Sequence, residues 1–526
     1  MKIYPNKLLV VALFLGWLFD FLFWEHSIGV NFAIFATVCM LFGIGILVSS
    51  GFRPAKKTLW LLIPFLFFSV VTFLRQEPLT IFLAYTFTTI TLILLVNSYL
   101  DGQWIQYGLS DYLVKSIGLM ASMVRRPFPF LVFNPQVDTE NSKNEEIKNK
   151  LPIGGIIRGL LIALPIVIFF TSMLASADLV FDQKLADFLD KFETEDIAEY
   201  IERMIYILLC AYILVGIFLH AAFASDNTKA LAEKKKMKQF LGFTEASIVL
   251  GSVSLLFLIF VIIQFQYFFG GQENIGVEGY SYSQYARRGF NELINVAFFS
   301  LLMIIGLGKL THRESETQKR IYSGLSIFLV LLVMVILVSA YQRINLGIDW
   351  HGYSRLRLYP RIFLIWVGIL FITIVTLESF RLEKYFTFAF LMASFGFGVS
   401  LTLANVDNAI VKYNIERVVN GKNLNTIHLS SLSTDAISVL VDEFKSPNIP
   451  DPIREGIGAI LVCYIHSYPM NDESLDENFQ SFNYSRWSAH KALDSVMTDL
   501  SEYKILEKRY PMLVRTPLNL QYECSK

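Results

Sequence analysis

The sequence predicts an all-α protein: a polytopic transmembrane helix bundle of about eleven spans with a small C-terminal helical domain. Three observations carry that expectation. Hydrophobic residues fill 54% of the 526 positions and charged residues only 17%, where a soluble chain carries about a quarter charged. Apolar runs recur through residues 1–404, each roughly 17–25 residues long, which crosses a hydrocarbon core of about 30 Å at 1.5 Å per residue. From Asn405 the hydropathy drops, and residues 405–526, about 120 in number, are enough to bury a core of their own.

The expected spans fall near Leu8–Trp24, Ile28–Ser49, Thr58–Leu74, Leu79–Tyr99, Ile153–Ala175, Met204–Phe223, Leu241–Phe269, Leu293–Leu310, Ile321–Tyr341, Pro360–Leu377 and Tyr385–Ala404. The first superficially resembles a signal peptide, with Lys2 and Lys7 ahead of it. It runs past Asp20 to Trp24 without a small-residue cleavage site, so it reads as an uncleaved span. With the N-terminus cytoplasmic, the inner segments hold roughly twice as many Lys and Arg as the outer loops, including the run Lys234, Lys235, Lys236 and Lys238. An odd span count then puts the tail outside.

Between spans, residues 101–151 form a cytoplasmic loop. Its first part mixes Tyr112, Val114, Ile117, Leu119 and Met120 with Lys115, Arg125 and Arg126, the pattern of a helix lying at the headgroups. Its second part, Asp138–Lys150, is charged and polar, the composition of a linker. Residues 178–202 read as an amphipathic helix with Phe181, Leu185, Phe188, Leu189 and Phe192 on one face and acidic residues elsewhere. Acid is tolerated better away from the anionic inner leaflet, which agrees with the orientation. In the tail, Ser433 reads as an N-cap ahead of the apolar face Ala436, Ile437, Leu440, Val441 and Phe444. Further helices are expected over Asp451–Ile465 and Ser485–Leu500, the first helix being broken from the second by Pro447, Pro450 and Pro452.

Composition also excludes function classes. The 45 basic and 45 acidic residues balance, whereas a nucleic-acid binder should be clearly basic. There is no P-loop, GxGxxG, HExxH or GxSxG string, so no catalytic residue, cofactor or metal ligand is assigned and the balance is against an enzyme. Of the four cysteines, Cys39 and Cys210 lie in apolar runs; Cys463 and Cys524 lie in the tail and could pair if it is extracytoplasmic.

Two outer segments hold the candidate binding residues. Gly270–Glu292 carries Tyr282, Tyr285, Arg287 and Arg288; Tyr341–Arg361 carries Arg343, Arg355 and Arg357. Arg outside runs against the positive-inside bias, and its planar fork suits carboxylate or phosphate. The functional reading is an anion or lipid-headgroup site; the structural one is internal pairing with Glu292, Asp349 and the acidic helix. Asp20, Arg158 and Glu245 are ionisable groups in or near lipid, where charge is costly and usually faces a partner or a cavity. Arg158 and Glu245 could pair with each other, Asp20 could meet outer arginines, and a proton or ion path through the three is the alternative.

RGLLIALPI at 158–166, IQFQYFFGG at 263–271, YSQYARRGFNEL at 282–293, AYQRINL at 340–346 and LANVDNAIVKYNIER at 403–417 carry a resemblance. They resemble a bacterial membrane family catalogued as domain of unknown function 4173, related to 4153. The likeness extends from LGWLFDFLFW in the first span to LSSLSTDAISVL in the tail, and implies a bacterial multi-pass protein without an established activity. Three classes of function follow. The leading one is non-enzymatic transport, or binding and sensing, of an anionic or lipid-linked envelope component at the outer face of the cytoplasmic membrane. The second is a scaffold or signalling protein whose C-terminal domain meets a protein partner. The third is a membrane-embedded transferase. Membrane lipids are partners in all three, and nucleic acid in none.

Overall fold

The computed structural model describes residues 5–132, 153–190, 195–226, 239–269, 290–467, 478–508 and 511–525. Ten helices among the described residues are long and apolar enough to cross a membrane. In chain order, the first helices are α1 (Pro5–Phe23), α2 (Val30–Ser49), the short α3 (Lys56–Leu59) running into α4 (Leu62–Leu74), and α5 (Pro78–Asn97). Next come α6 (Leu109–Arg125), α7 (Pro127–Val132), α8 (Ile153–Ala177), α9 (Leu179–Asp190) and α10 (Glu195–Phe223). Then follow α11 (Phe243–Phe269), α12 (Phe290–Leu310), α13 (Glu316–His351), α14 (Arg355–Ser379) and α15 (Phe386–Ala404). The ten candidate spans comprise α1, α2, α3 with α4, α5, α10, α11, α12, α13, α14 and α15. Helix α8, 25 residues long, stands where the fifth span was expected.

Two boundaries differ from expectation for a physical reason. Residues 341–351 read as an outer loop, but α13 continues to His351 because its buried stripe continues: Ala340 is followed by Ile344 and Ile348 at helical spacing. The acidic stretch 178–202 is divided between α9 and the first turns of α10, which begins at Glu195, well before the apolar run.

The chain forms two compact units. The first comprises Met1–Phe73, Ala84–Ala232 and Glu473–Asn483; the second comprises Leu74–Leu83, Glu233–Asp472 and Tyr484–Lys526. In the first, α1 packs along α10 and α2. The approach is closest at Gly16, where a Cβ would collide with the Ile207 carbonyl. Small residues allow such contact between membrane helices. The turn from α1 to α2 is tied to the tail segment, Val30 N–H donating to the Phe482 carbonyl at 2.8 Å.

In the second unit α13 packs against α11, α12 and α14, burying Leu329, Val333, Ile336 and Ala340. Asn405, at φ 43°, joins α15 directly to α16 (Val406–Val419); Asn tolerates this left-handed conformation better than most side chains. The tail continues as α17 (Thr426–Ser430), α18 (Ile437–Lys445), α19 (Asp451–Ser467), α20 (Tyr484–Asp494) and α21 (Met497–Leu500). Ser433 caps as expected, its Oγ accepting from Asp435 N–H. Three strands follow, which the helical reading of the tail did not include: β1 (Lys504–Glu507), β2 (Met512–Arg515) and β3 (Gln521–Cys524), antiparallel in that order. Val406, Ile410, Leu440, Ile457, Leu461 and Val514 belong to the tail's core. Cys463 of α19 and Cys524 of β3 form a disulfide, their Cα atoms 6.5 Å apart.

Candidate functional site

The most concentrated polar chemistry in the second unit starts at Glu77, between α4 and α5. Pro78 begins α5, where its missing N–H costs nothing, and Glu77 acts as the cap before it. Its carboxylate accepts from the N–H groups of Leu79 (2.9 Å) and Thr80 (2.8 Å) and from the Thr80 hydroxyl. A negative charge at a helix N-terminus adds about 0.3–1 kcal/mol. The Tyr359 hydroxyl of α14 donates to the same carboxylate. Glu77 is only 1% exposed, so it spends its lone pairs on protein donors rather than water.

Asp407, in the first turn of α16, is wholly buried and binds Arg355 of α14 through both oxygens: Nε at 2.8 Å and Nη2 at 2.5 Å. It also accepts from the Ser433 N–H (2.8 Å) and Oγ (2.6 Å). Asp435, two residues on, accepts from the N–H groups of Gln76 (2.8 Å) and Glu77 (2.9 Å). Arg75 donates to the Thr402 carbonyl at 3.1 Å. Three buried carboxylates thus fasten the tail's α16 and the Ser433 turn to the ends of the spans beneath. His428 joins the cluster through a 3.3 Å contact from Nε2 to the Tyr353 carbonyl, so Nε2 carries the proton. Burial, with the charges of Arg355 and Arg357 behind it, pulls the His428 pKa down against the opposing hydrogen bond to the Tyr353 carbonyl.

Burial pushes the Asp435 pKa up from the ordinary carboxylate value, and the neighbouring Asp407 adds to the rise while the Gln76 N–H opposes it. A carboxyl that holds its proton more tightly in the folded state stabilises that state in acid. That contribution is complete below the ordinary Asp value, about 3.9, and is lost as pH rises through the raised one. Asp435→Asn keeps an acceptor for the two N–H groups and cannot ionise. Its stability relative to wild type should therefore improve as pH rises from about 4 to about 8. Thermal unfolding in detergent across that range tests this; a constant difference would refute it.

The residues singled out from sequence do not gather in one place. Arg355 is committed to Asp407, and Arg357 donates to the Gly352 carbonyl at 3.0 Å. Arg343 is half-buried on α13. Tyr282, Tyr285, Arg287 and Arg288 lie outside the described residues, as does the Arg158 side chain on α8. Asp20, 4% exposed, is held in the first unit by Arg203 of α10, with Nη2 at 2.8 Å and Nε at 3.1 Å. Arg203 in turn bonds Glu199 and lies over the Trp24 ring. Glu245 is exposed and accepts the Gly242 N–H at 2.6 Å, a cap on the start of α11. Among the described residues no group of His, Cys, Asp and Glu is arranged to hold a metal ion.

A polar cavity in the second unit, about 750 Å³, is lined by His351, Arg417, Lys422, Asn423, Asn425 and Glu523. It lies where the C-terminus of α13 meets the tail. Arg417 donates to the carbonyls of Asp349 (2.9 Å) and Trp350 (3.0 Å), satisfying the end of α13. Lys422 is exposed, and among the described residues its ammonium forms no ion pair. Of these wall residues only His351 lies in a segment noted from sequence, Tyr341–Arg361; the others come from two distant stretches, and no spacing announces them.

The family model described as Domain of unknown function (DUF4153) matches residues 62–443. The chain belongs to this family. Searches of curated proteins and of solved structures found no match. The DUF4153 region contains Glu77, Arg355, Asp407, Ser433 and Asp435, so the whole buried cluster falls inside it. It also contains Arg203, Arg417 and Lys422, whereas Asp20 and both disulfide cysteines lie outside. Membership adds no reaction and no ligand.

Proposed function

We propose that this DUF4153 protein is a non-enzymatic multi-pass membrane protein that binds or senses an anionic or lipid-linked envelope component at its tail-bearing face. The supporting observation is the polar cavity carrying Arg417 and Lys422 beside His351. Two cations and several amides against one carboxylate favour a phosphate- or carboxylate-bearing group. The neighbouring carboxylate cluster would make the tail respond together with the span ends, as a sensor requires. In the same reading the chain is bacterial, is of the 4173 branch and sits in the cytoplasmic membrane with its N-terminus inside. Contacts of the tail with the turn after α1, and separately with the turn after α4, support a tail across the membrane from the N-terminus. Arg287 and Arg288 stay in the proposal as sequence candidates for the same face.

The buried cluster alone also supports a second reading, a scaffold or signalling protein acting through the tail. Titration of inorganic pyrophosphate into the full chain in nanodiscs separates the two. Binding that weakens about tenfold in Lys422→Gln/His351→Gln, equivalent to one lost charge-assisted contact, supports the ligand-binding reading. No saturable binding, or equal affinity in the variant, leaves the scaffold as the better account.

A further inference from the structure

A second basic cavity, in the first unit, points to a different ligand. It is an open pocket of about 720 Å³ between α6, α7 and α10, and its walls include Arg125, Arg126, Pro129, Phe130, Leu219 and Phe223. Neither arginine forms an ion pair with a described carboxylate; Arg126 Nε donates to Ser122 Oγ at 3.2 Å. Ser122 is fixed in turn by His220 Nδ1 at 2.8 Å, and His220 by Asn97 at 3.1 Å. The guanidinium is therefore aimed by a built chain of hydrogen bonds. Partial burial pulls the Arg126 pKa down, with no described carboxylate opposing the shift.

Depth identifies what could supply that charge. Helix α6 crosses α10 at Gly216, where a Cβ would stand 2.6 Å from the Met123 backbone. Gly216 lies seven residues before the end of α10 at Phe223, which is about 10 Å at 1.5 Å per residue. Amphipathic interfacial helices sit about 5–10 Å into the boundary between headgroups and acyl chains. The outward face of α6 agrees: Leu113, Ile117, Met120 and Val124 are all more than half exposed. Paired arginines beside apolar walls near the end of a candidate span match a lipid with phosphate at its head and hydrocarbon below.

We infer that the cavity between α6, α7 and α10 binds the phosphate headgroup of an anionic phospholipid, with Arg125 and Arg126 as its ligands. The apolar walls of Phe130, Leu219 and Phe223 favour a lipid over a free phosphate ion, which would leave them wetted. This site is independent of the tail-side cavity and stands or falls separately from it.

The test is native mass spectrometry of the delipidated full chain, titrated in detergent with phosphatidylglycerol or phosphatidylcholine. Wild type should retain phosphatidylglycerol preferentially. Arg125→Gln/Arg126→Gln should weaken that retention about tenfold or more, as expected for losing the charge-assisted contacts to one phosphate. Lys56→Gln/Lys57→Gln, which removes exposed cations outside the cavity, should leave it within about twofold. Ala121→Trp places an indole on the cavity wall, one turn before Arg125, while keeping both guanidinium groups, and should also weaken the preference even if the arginine variant misfolds. Equal retention in Ala121→Trp and wild type would overturn the assignment. So would displacement of the lipid by inorganic phosphate, which would make the site one for a soluble anion.

Discussion

Replacing Arg355 with alanine is expected to destabilise the protein by about 3 kcal/mol and to loosen the tail before the spans unfold. Among the described residues the guanidinium is the one cation bonded to Asp407, a carboxylate with no exposure to water. Removing one partner of a buried pair strands the other, a cost of about 3–5 kcal/mol. The Arg355 side chain is 24% exposed, which places the expected value at the low end because water already screens part of the interaction. Ser433 would still donate its N–H and hydroxyl to Asp407, so the carboxylate keeps some support. Limited proteolysis in detergent should release tail fragments from Arg355→Ala under conditions where wild type resists. The double variant Arg355→Met/Asp407→Leu should recover much of the loss, because two apolar groups need no counter-charge. If Arg355→Ala unfolds at the wild-type midpoint with an equally resistant tail, the cluster is not what fastens the tail.

Most of the bundle was legible because lipid imposes a simple rule. A helix satisfies its own backbone groups, so an apolar run of sufficient length has few alternatives. The same rule explains why α13 was read too short. Its last three turns are polar on one side, and hydropathy averages over both sides, so Arg343 and Asp349 masked the buried line of Ile344 and Ile348. The strands of the tail were missed for a different reason. Each is four residues long, too short for alternation to stand out, and pairing partners on a sheet are set by the fold rather than by local sequence.

The site was less legible. Arg355 lies in a segment expected outside the membrane, where an arginine needs an anion. The anion turned out to be Asp407, 52 residues away, not Asp349, Glu292 or the acidic helix. Asp20 shows the same pattern, since the need for a partner could be inferred but Arg203, 183 residues on, could not be named. Glu77 carries a signal that is readable in sequence. A Glu directly before Pro78 at the start of an apolar run is a capping position. Ser433 was recognised as a cap, but the aspartate two residues beyond it was not assigned a partner. Single residues disclose their requirements, whereas the pairing that meets them belongs to three dimensions.

The disulfide gives the sharpest test of where the tail resides. Cys463 and Cys524 are both wholly buried, one on α19 and one on β3, and 61 residues separate them. In the chain-entropy account, closing a loop of that length removes about 4 kcal/mol of disorder from the unfolded tail. Cys463→Ala should therefore lower the tail's unfolding midpoint well below that of Cys39→Ala, whose thiol is unbonded among apolar helices. The bond also reports on compartment, because disulfides persist in oxidising surroundings and are rare in a reducing cytosol. Cells lysed directly into denaturant with an alkylating agent should yield protein labelled at Cys39 and Cys210 alone, the two free thiols. Labelling at all four positions should appear only after added reductant. Full labelling without reductant would place the tail with the reducing side of the membrane. The tail-side cavity would then face cytosolic ligands, and the proposal of an envelope component there would fail while the fold remained as described.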